Sequence, residues 1–220
     1  MYVYYRGSRT ALLGQLPEMR LPNSEHESHA WRIRDVAPDF TLEDVWALPV
    51  HGGAEDFPAL LRIVGSGEPS GAGSLPARAL WLLRTQLGRL LGWDRAAGEL
   101  PIPGTSDSSL ADRLPADLRN TAKRSDFGSD LFAPVYRTDD EFAAELSNRT
   151  VHGVLHLAWV DRGGGRYQGQ MAVYVKPRGR LGRGYMALIR PFRHRIVYPA
   201  IMRGLERAWD ARMALEHEPR

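Results

Sequence analysis

The sequence predicts an α+β fold in which an antiparallel sheet packs against a long C-terminal helix. Two observations predict it. Residues 150–177 hold two runs of alternating character joined by a glycine-rich turn, the pattern of paired strands. Residues 197–214 carry Tyr198, Ile201, Met202, Leu205, Trp209 and Met213 at spacings of three and four, the pattern of an amphipathic helix. A sheet apolar on one face, followed by such a helix, buries both by packing them together.

The elements follow in order. Residues 1–28 read as an N-terminal tail, ending in the polar, turn-rich LPNSEHES. Residues 29–50 read as strand, turn and strand, broken at Ala37-Pro38-Asp39. Phe40, Leu42 and Trp46 share one parity there, which Asp44 interrupts. Residues 56–64 predict a short helix on Phe57, Leu60, Leu61 and Val64, with Pro58 in its first turn. GSGEPSGAGS (65–74) has linker composition, and 75–91 predicts a helix with a leucine stripe that Gly92 ends. Residues 93–130 are loop-like. Thr138 to Glu141 fits a capping box before a helix over 139–146, with extension of the next strand as the rival. TVHGVLHLAWV, YQGQMAVYVKP and YMALIR read as three strands of a meander, with turns at 161–166 and 178–184. Leu155, Leu157 and Trp159 share one face of the first strand, and Met171, Val173 and Val175 one face of the second. Gln168, Gln170 and Lys176 are expected to face water. One domain over 29–214 results, with a short tail at 215–220.

Composition narrows the chemistry. The 220 residues include no cysteine, which removes disulfides, thiol catalysis, thiolate zinc sites and iron–sulfur clusters. No apolar run reaches the length of a membrane span, and the N-terminus lacks a secretion leader's pattern, so a cytoplasmic protein is expected. Arginine far outnumbers lysine, which suggests a GC-rich bacterial genome. The net charge is +3, yet Arg162 to Leu205 holds ten Lys/Arg and no acid, so the remainder is net acidic.

The motifs are weak individually. His152 and His156 are four apart on a predicted strand, where about 13 Å separates them, so no metal bridges them. The glycines at 163–165, 179, 182 and 184 lack the setting of a phosphate loop. Arg178, Arg180 and Arg183 resemble a nucleic-acid loop, but only Tyr185 stands near for stacking, and nucleic acid is disfavoured. No nucleophile elbow occurs. Asp39, Glu43 and Asp44 are read as a solvated strand edge rather than an acid–base group. Arg193 and Arg195, at the entry to the last helix, could hold an anion. On the meander, Arg162, Arg166, Arg193 and Arg195 are expected near one end of the sheet and Arg178, Arg180 and Arg183 at the other.

The order strand, strand, helices, meander and long terminal helix resembles the helix-grip fold of START-type lipid-transfer domains, polyketide cyclases and plant allergen-type binders. APDFTLEDVWALP (37–49), RALWLLRTQLGRLLGWD (78–94) and YMALIRPFRHRIVYPAIMR (185–203) resemble the bacterial domain of unknown function 2867 family over roughly 25–212. The resemblance implies a cavity between a curled sheet and the last helix, lined or closed by Leu157, Trp159, Met171, Val173, Tyr185, Tyr198, Met202, Leu205 and Trp209. The same residues could instead fill a solid core. The expectation is a binding module for a small hydrophobic or amphipathic ligand, with no cofactor. Its alternatives are a cyclase- or hydratase-like enzyme using His156, which must then face the cavity, or an interaction protein that partners a reductase. Oligomeric state is left open.

Overall fold

The computed structural model describes residues 19–66, 108–121, 127–129, 132–147 and 150–216. The helix expected over 75–91 and most of the linker before it lie outside these. Six antiparallel strands form one curled sheet in the order β1-β2-β6-β5-β4-β3. They are β1 (Arg20–Leu21), β2 (Thr41–Gly52), β3 (Ala133–Arg137), β4 (Glu141–Ser147), β5 (Val151–Asp161) and β6 (Tyr167–Pro177). The α-helices among the described residues are α1 (Asn23–Glu27), α2 (Ile33–Val36), α3 (Phe57–Gly65), α4 (Gly179–Phe192) and α5 (Tyr198–Glu216). A π-helical segment, Arg193–Val197, joins the last two.

The β5–β6 hairpin matches the sequence reading. Asp161 pairs with Tyr167 at the turn and Val151 with Pro177 at the far end. Gly163, Gly164 and Gly165 all take positive φ, which side chains resist, so three glycines fit this reversal. Asp161 Oδ1 accepts from the Gly163 amide at 2.7 Å and closes it.

Beyond residue 177 the expected third strand is instead helix α4. β6 already lies between β2 and β5, so neither of its edges is free for another strand. Gly182, Met186 and Ile189 recur at helical spacing, and Met186 and Ile189 pack against Val151, Val173 and Val175. Gly182 lies so close to the sheet that a Cβ there would meet the Thr150 carbonyl oxygen at 2.2 Å. Gly182→Ala should therefore cost about 1–3 kcal/mol, seen as a lower urea midpoint, because the obstacle is backbone.

The helix expected over 139–146 is strand β4. Thr138 does accept from the Glu141 amide at 3.0 Å, as a cap would. The Thr138 amide also donates to the Glu141 carbonyl at 2.8 Å, which closes a β3–β4 hairpin. Residues 29–36 form α2 and its approach rather than a strand, with Trp31, Ile33 and Val36 buried. Part of the expected tail is structured: β1 pairs with β2, and His26 of α1 is fully buried.

Both faces of the sheet are covered, against the expectation of one wet face. One face packs against α3 and α5 through Trp46, Leu48, Val50, Phe142, Leu157 and Trp159. The other packs beneath α1, α2 and residues 110–118 through Val45, Val154, Ala158, Ala172 and Tyr174. Gln170, expected in water, is buried there. A bulge in β2 between Leu42 and Asp44 changes parity. Phe40 and Leu42 thus face α2, while Asp44 and Trp46 turn toward α5, so they form no single stripe.

The arginines divide differently from the expectation. Arg162 bonds Glu25 at the glycine turn, and Arg178 bonds Ser147 and Val151 at the opposite end of β5. Arg193 reaches Asp44, which stands opposite Val173 within β6, not beside the 161–166 turn. The intervening helix, in place of a returning strand, is the reason.

Candidate functional site

The α5-facing side of the sheet gathers Leu157, Trp159, Met171, Tyr198, Met202, Leu205 and Trp209 into one buried apolar cluster. The residues predicted on this face thus meet there, with two differences. Val173 packs under α4 with Val151, Val175 and Met186. Tyr185 belongs to α4 rather than to a strand, and its side chain lies outside the described residues. Aromatic rings dominate the cluster. Trp159 lies 5.9 Å from Trp209 and 6.3 Å from Phe57, and Trp46 lies 4.8 Å from Tyr198, centre to centre. Two indole N–H groups have carbonyl partners: Trp159 donates to Gly53 at 2.8 Å and Trp209 to His51 at 3.1 Å.

At the edge of this apolar face sits one carboxylate. Asp44 is only 1% exposed. It accepts from Arg193, from His194 Nε2 at 2.9 Å and from the Tyr198 hydroxyl at 3.1 Å, and Arg20 stands 3.5 Å away. Burial alone would push its carboxyl up, but Arg193 and His194 hold it below the ordinary carboxylate value. Burial also pushes the Tyr198 phenol up, with Arg193 opposing and Asp44 reinforcing. The π-helical segment makes the arrangement. Its wider turn presents Arg193 and His194 to Asp44 just before α5 delivers Tyr198.

Two buried donors near Tyr198 have no acceptor among the described residues: Arg193 Nε–H and Trp46 Nε1–H. Both flank Tyr198, with the Arg193 guanidinium carbon 5.7 Å from its ring centre. Arg193 and Arg195 were expected together as an anion site. The structure puts Arg193 in the cluster and leaves Arg195 exposed.

A second polar cluster lies on the opposite face. Glu141 accepts from the Arg32 amide at 2.9 Å, the Tyr136 hydroxyl at 3.1 Å and His156 Nε2 at 2.8 Å. Glu145 accepts from His152 Nε2 at 2.8 Å and the Leu110 amide at 3.0 Å. His26 Nδ1 lies 2.5 Å from Gln170 Oε1, and its ring is 5.0 Å from that of His156. His156 therefore stands behind the sheet as seen from α5 and cannot reach a ligand held beneath that helix. Among the described residues, no group of three acidic or histidine side chains is placed to hold a metal ion.

The sequence reading put Asp44 on a solvated strand edge, Glu141 in a helix cap and Gln170 in water, and passed over His26; all four are buried. Asp44 carried a signal, since an acid on an otherwise apolar stripe needs a buried partner. His26 carried none, because its hydrogen-bond partner, Gln170, lies 144 positions away.

No helix among the described residues is long and apolar enough to cross a membrane. No curated protein and no solved structure matches the chain. A family model does match, over residues 36–200, from the end of α2 to the first turn of α5. The chain belongs to that family, whose description is protein of unknown function (DUF2867).

Proposed function

We propose that this protein holds a small amphipathic acid between the sheet and α5. Its apolar body lies along Trp46, Tyr198 and the aromatic face, and its carboxylate takes the Arg193 and Trp46 N–H groups. One observation carries this reading: two buried donors, one of them cationic, lack acceptors among the described residues beside an apolar aromatic surface. Buried donors are rarely left unpaired, and ligand sites combine apolar walls with a few placed polar groups. The helix-grip reading of the curled sheet and terminal helix supports the same location.

Tryptophan fluorescence tests it, since Trp46, Trp159 and Trp209 all line this face. A panel of aliphatic and aryl carboxylates should give a saturable change at one per chain, with each acid binding about tenfold or more tighter than its methyl ester. Arg193→Lys keeps a cation against Asp44 but removes the Nε donor. It should weaken acid binding by about tenfold with little change in melting temperature. Equal affinity for acid and ester, or no saturable response across the panel, overturns the reading.

A further inference from the structure

Helix α4, the π segment and the start of α5 run without interruption from Gly179, and one side of that run is lined by exposed residues. Arg180, Gly184, Leu188, Pro191 and Arg195 follow at spacings of four, four, three and four, and all are exposed. Leu188 is 77% exposed, and Ile196, about two turns on, is 41% exposed. Burying neither in the core costs apolar contact that a strand-facing position would supply. Arg183 and Arg190 flank the stripe and are also exposed.

The charges on this side are unanswered. Among the described residues, no carboxylate pairs with Arg180, Arg183, Arg190 or Arg195, whereas Arg20, Arg32, Arg113, Arg162, Arg193 and Arg212 each have an acidic partner. The sequence from Arg162 to Leu205 contains no acid at all. What sets these four apart is their company: they stand exposed around the protruding aliphatic side chains of Leu188 and Ile196.

From this combination we infer that the outer side of α4 and the π segment is a docking surface for an anionic lipid bilayer. Arginines approach the headgroups while Leu188 and Ile196 enter the boundary of the acyl region, with the helix lying in the plane of the surface. The protruding aliphatic residues favour a bilayer over nucleic acid, which rewards stacking rings along a continuous positive track. The inference stands independently of the ligand proposed above, which lies on the inner side of the same helical run.

Co-sedimentation of the full chain with vesicles tests it. Mixed phosphatidylglycerol and phosphatidylcholine vesicles should bind about tenfold or more tighter than pure phosphatidylcholine, and the difference should shrink with added salt. Leu188→Asp and the pair Arg180→Glu/Arg195→Glu change only exposed positions, so the fold should persist by circular dichroism. Each should lower vesicle binding about tenfold. Equal binding to both vesicle types overturns the inference, as does selective binding that survives both variants. So does duplex DNA binding that the same variants abolish while vesicles are ignored.

Discussion

Asp44→Ala should cost about 3–5 kcal/mol of folding stability, read from urea or guanidinium unfolding. The substitution strips the half-buried Arg193 cation of its hydrogen-bonded counter-charge and leaves only the more distant Glu43, and removing one partner of a buried pair is far more harmful than removing both. His194 and the Tyr198 hydroxyl lose their acceptor at the same time. The double variant Asp44→Ala/Arg193→Met should recover most of the loss, because an apolar side chain can occupy the space without a stranded charge. A loss below about 1 kcal/mol for the single variant would show that solvent reaches the cluster and screens it.

Mild acid should weaken the protein through His26. Burial, with His156 nearby and then His29 and Arg34, lowers its pKa from 6.5 to about 3, while the hydrogen bond to Gln170 opposes the shift. The folded chain therefore refuses a proton that the unfolded chain accepts. Stability is whole above pH 6.5 and falls as pH drops from there toward about 3, with a limiting slope of about 1.4 kcal/mol per pH unit. Asp44 and Glu145 behave oppositely in origin. Their carboxyl pKa values are lowered on folding, so their contribution is present above the unfolded values of 3.8 and 4.5 and disappears below them. His26→Asn removes the titrating ring yet keeps a donor for Gln170. Its unfolding free energy should be flatter than the parent's between pH 6.5 and 4.5, where the contribution of the carboxylates is present and nearly constant. Parallel curves for parent and variant would mean that His26 protonates freely in the folded chain.

The parts of the fold legible in the sequence were those decided by neighbours. The β5–β6 hairpin announces itself through alternation on both sides of three glycines, and α5 through an aromatic and aliphatic stripe whose members pack inward except Ile201, which is exposed. α4 was misread because YMALIR satisfies period two as well as 3.6, and only the occupied edges of β6 decide between them. β4 was misread because Thr138 makes the same side-chain hydrogen bond in a hairpin as in a helix cap. The candidate site was legible as a set of apolar residues and illegible as a polar one. Asp44 turns inward because of a bulge, and its hydrogen-bond donors Arg193, His194 and Tyr198 come from the far end of the chain. No local pattern records either fact.

The position of β2 in the sheet has a consequence for how the chain is made. Its main partner is β6: Val45 pairs with Ala172 and Trp46 with Met171. During synthesis β2 therefore emerges long before the strand that completes it, with Trp46, Leu48 and Val50 still exposed. Pairings of such long sequence separation close slowly. Until β6 leaves the ribosome, the N-terminal part is an apolar strand without a sheet, the kind of segment that chaperones hold and that aggregates when they do not. Late completion also makes the C-terminal third decisive. A nascent chain halted before residue 167 has every residue of β2 and none of the strand on which β2 is built.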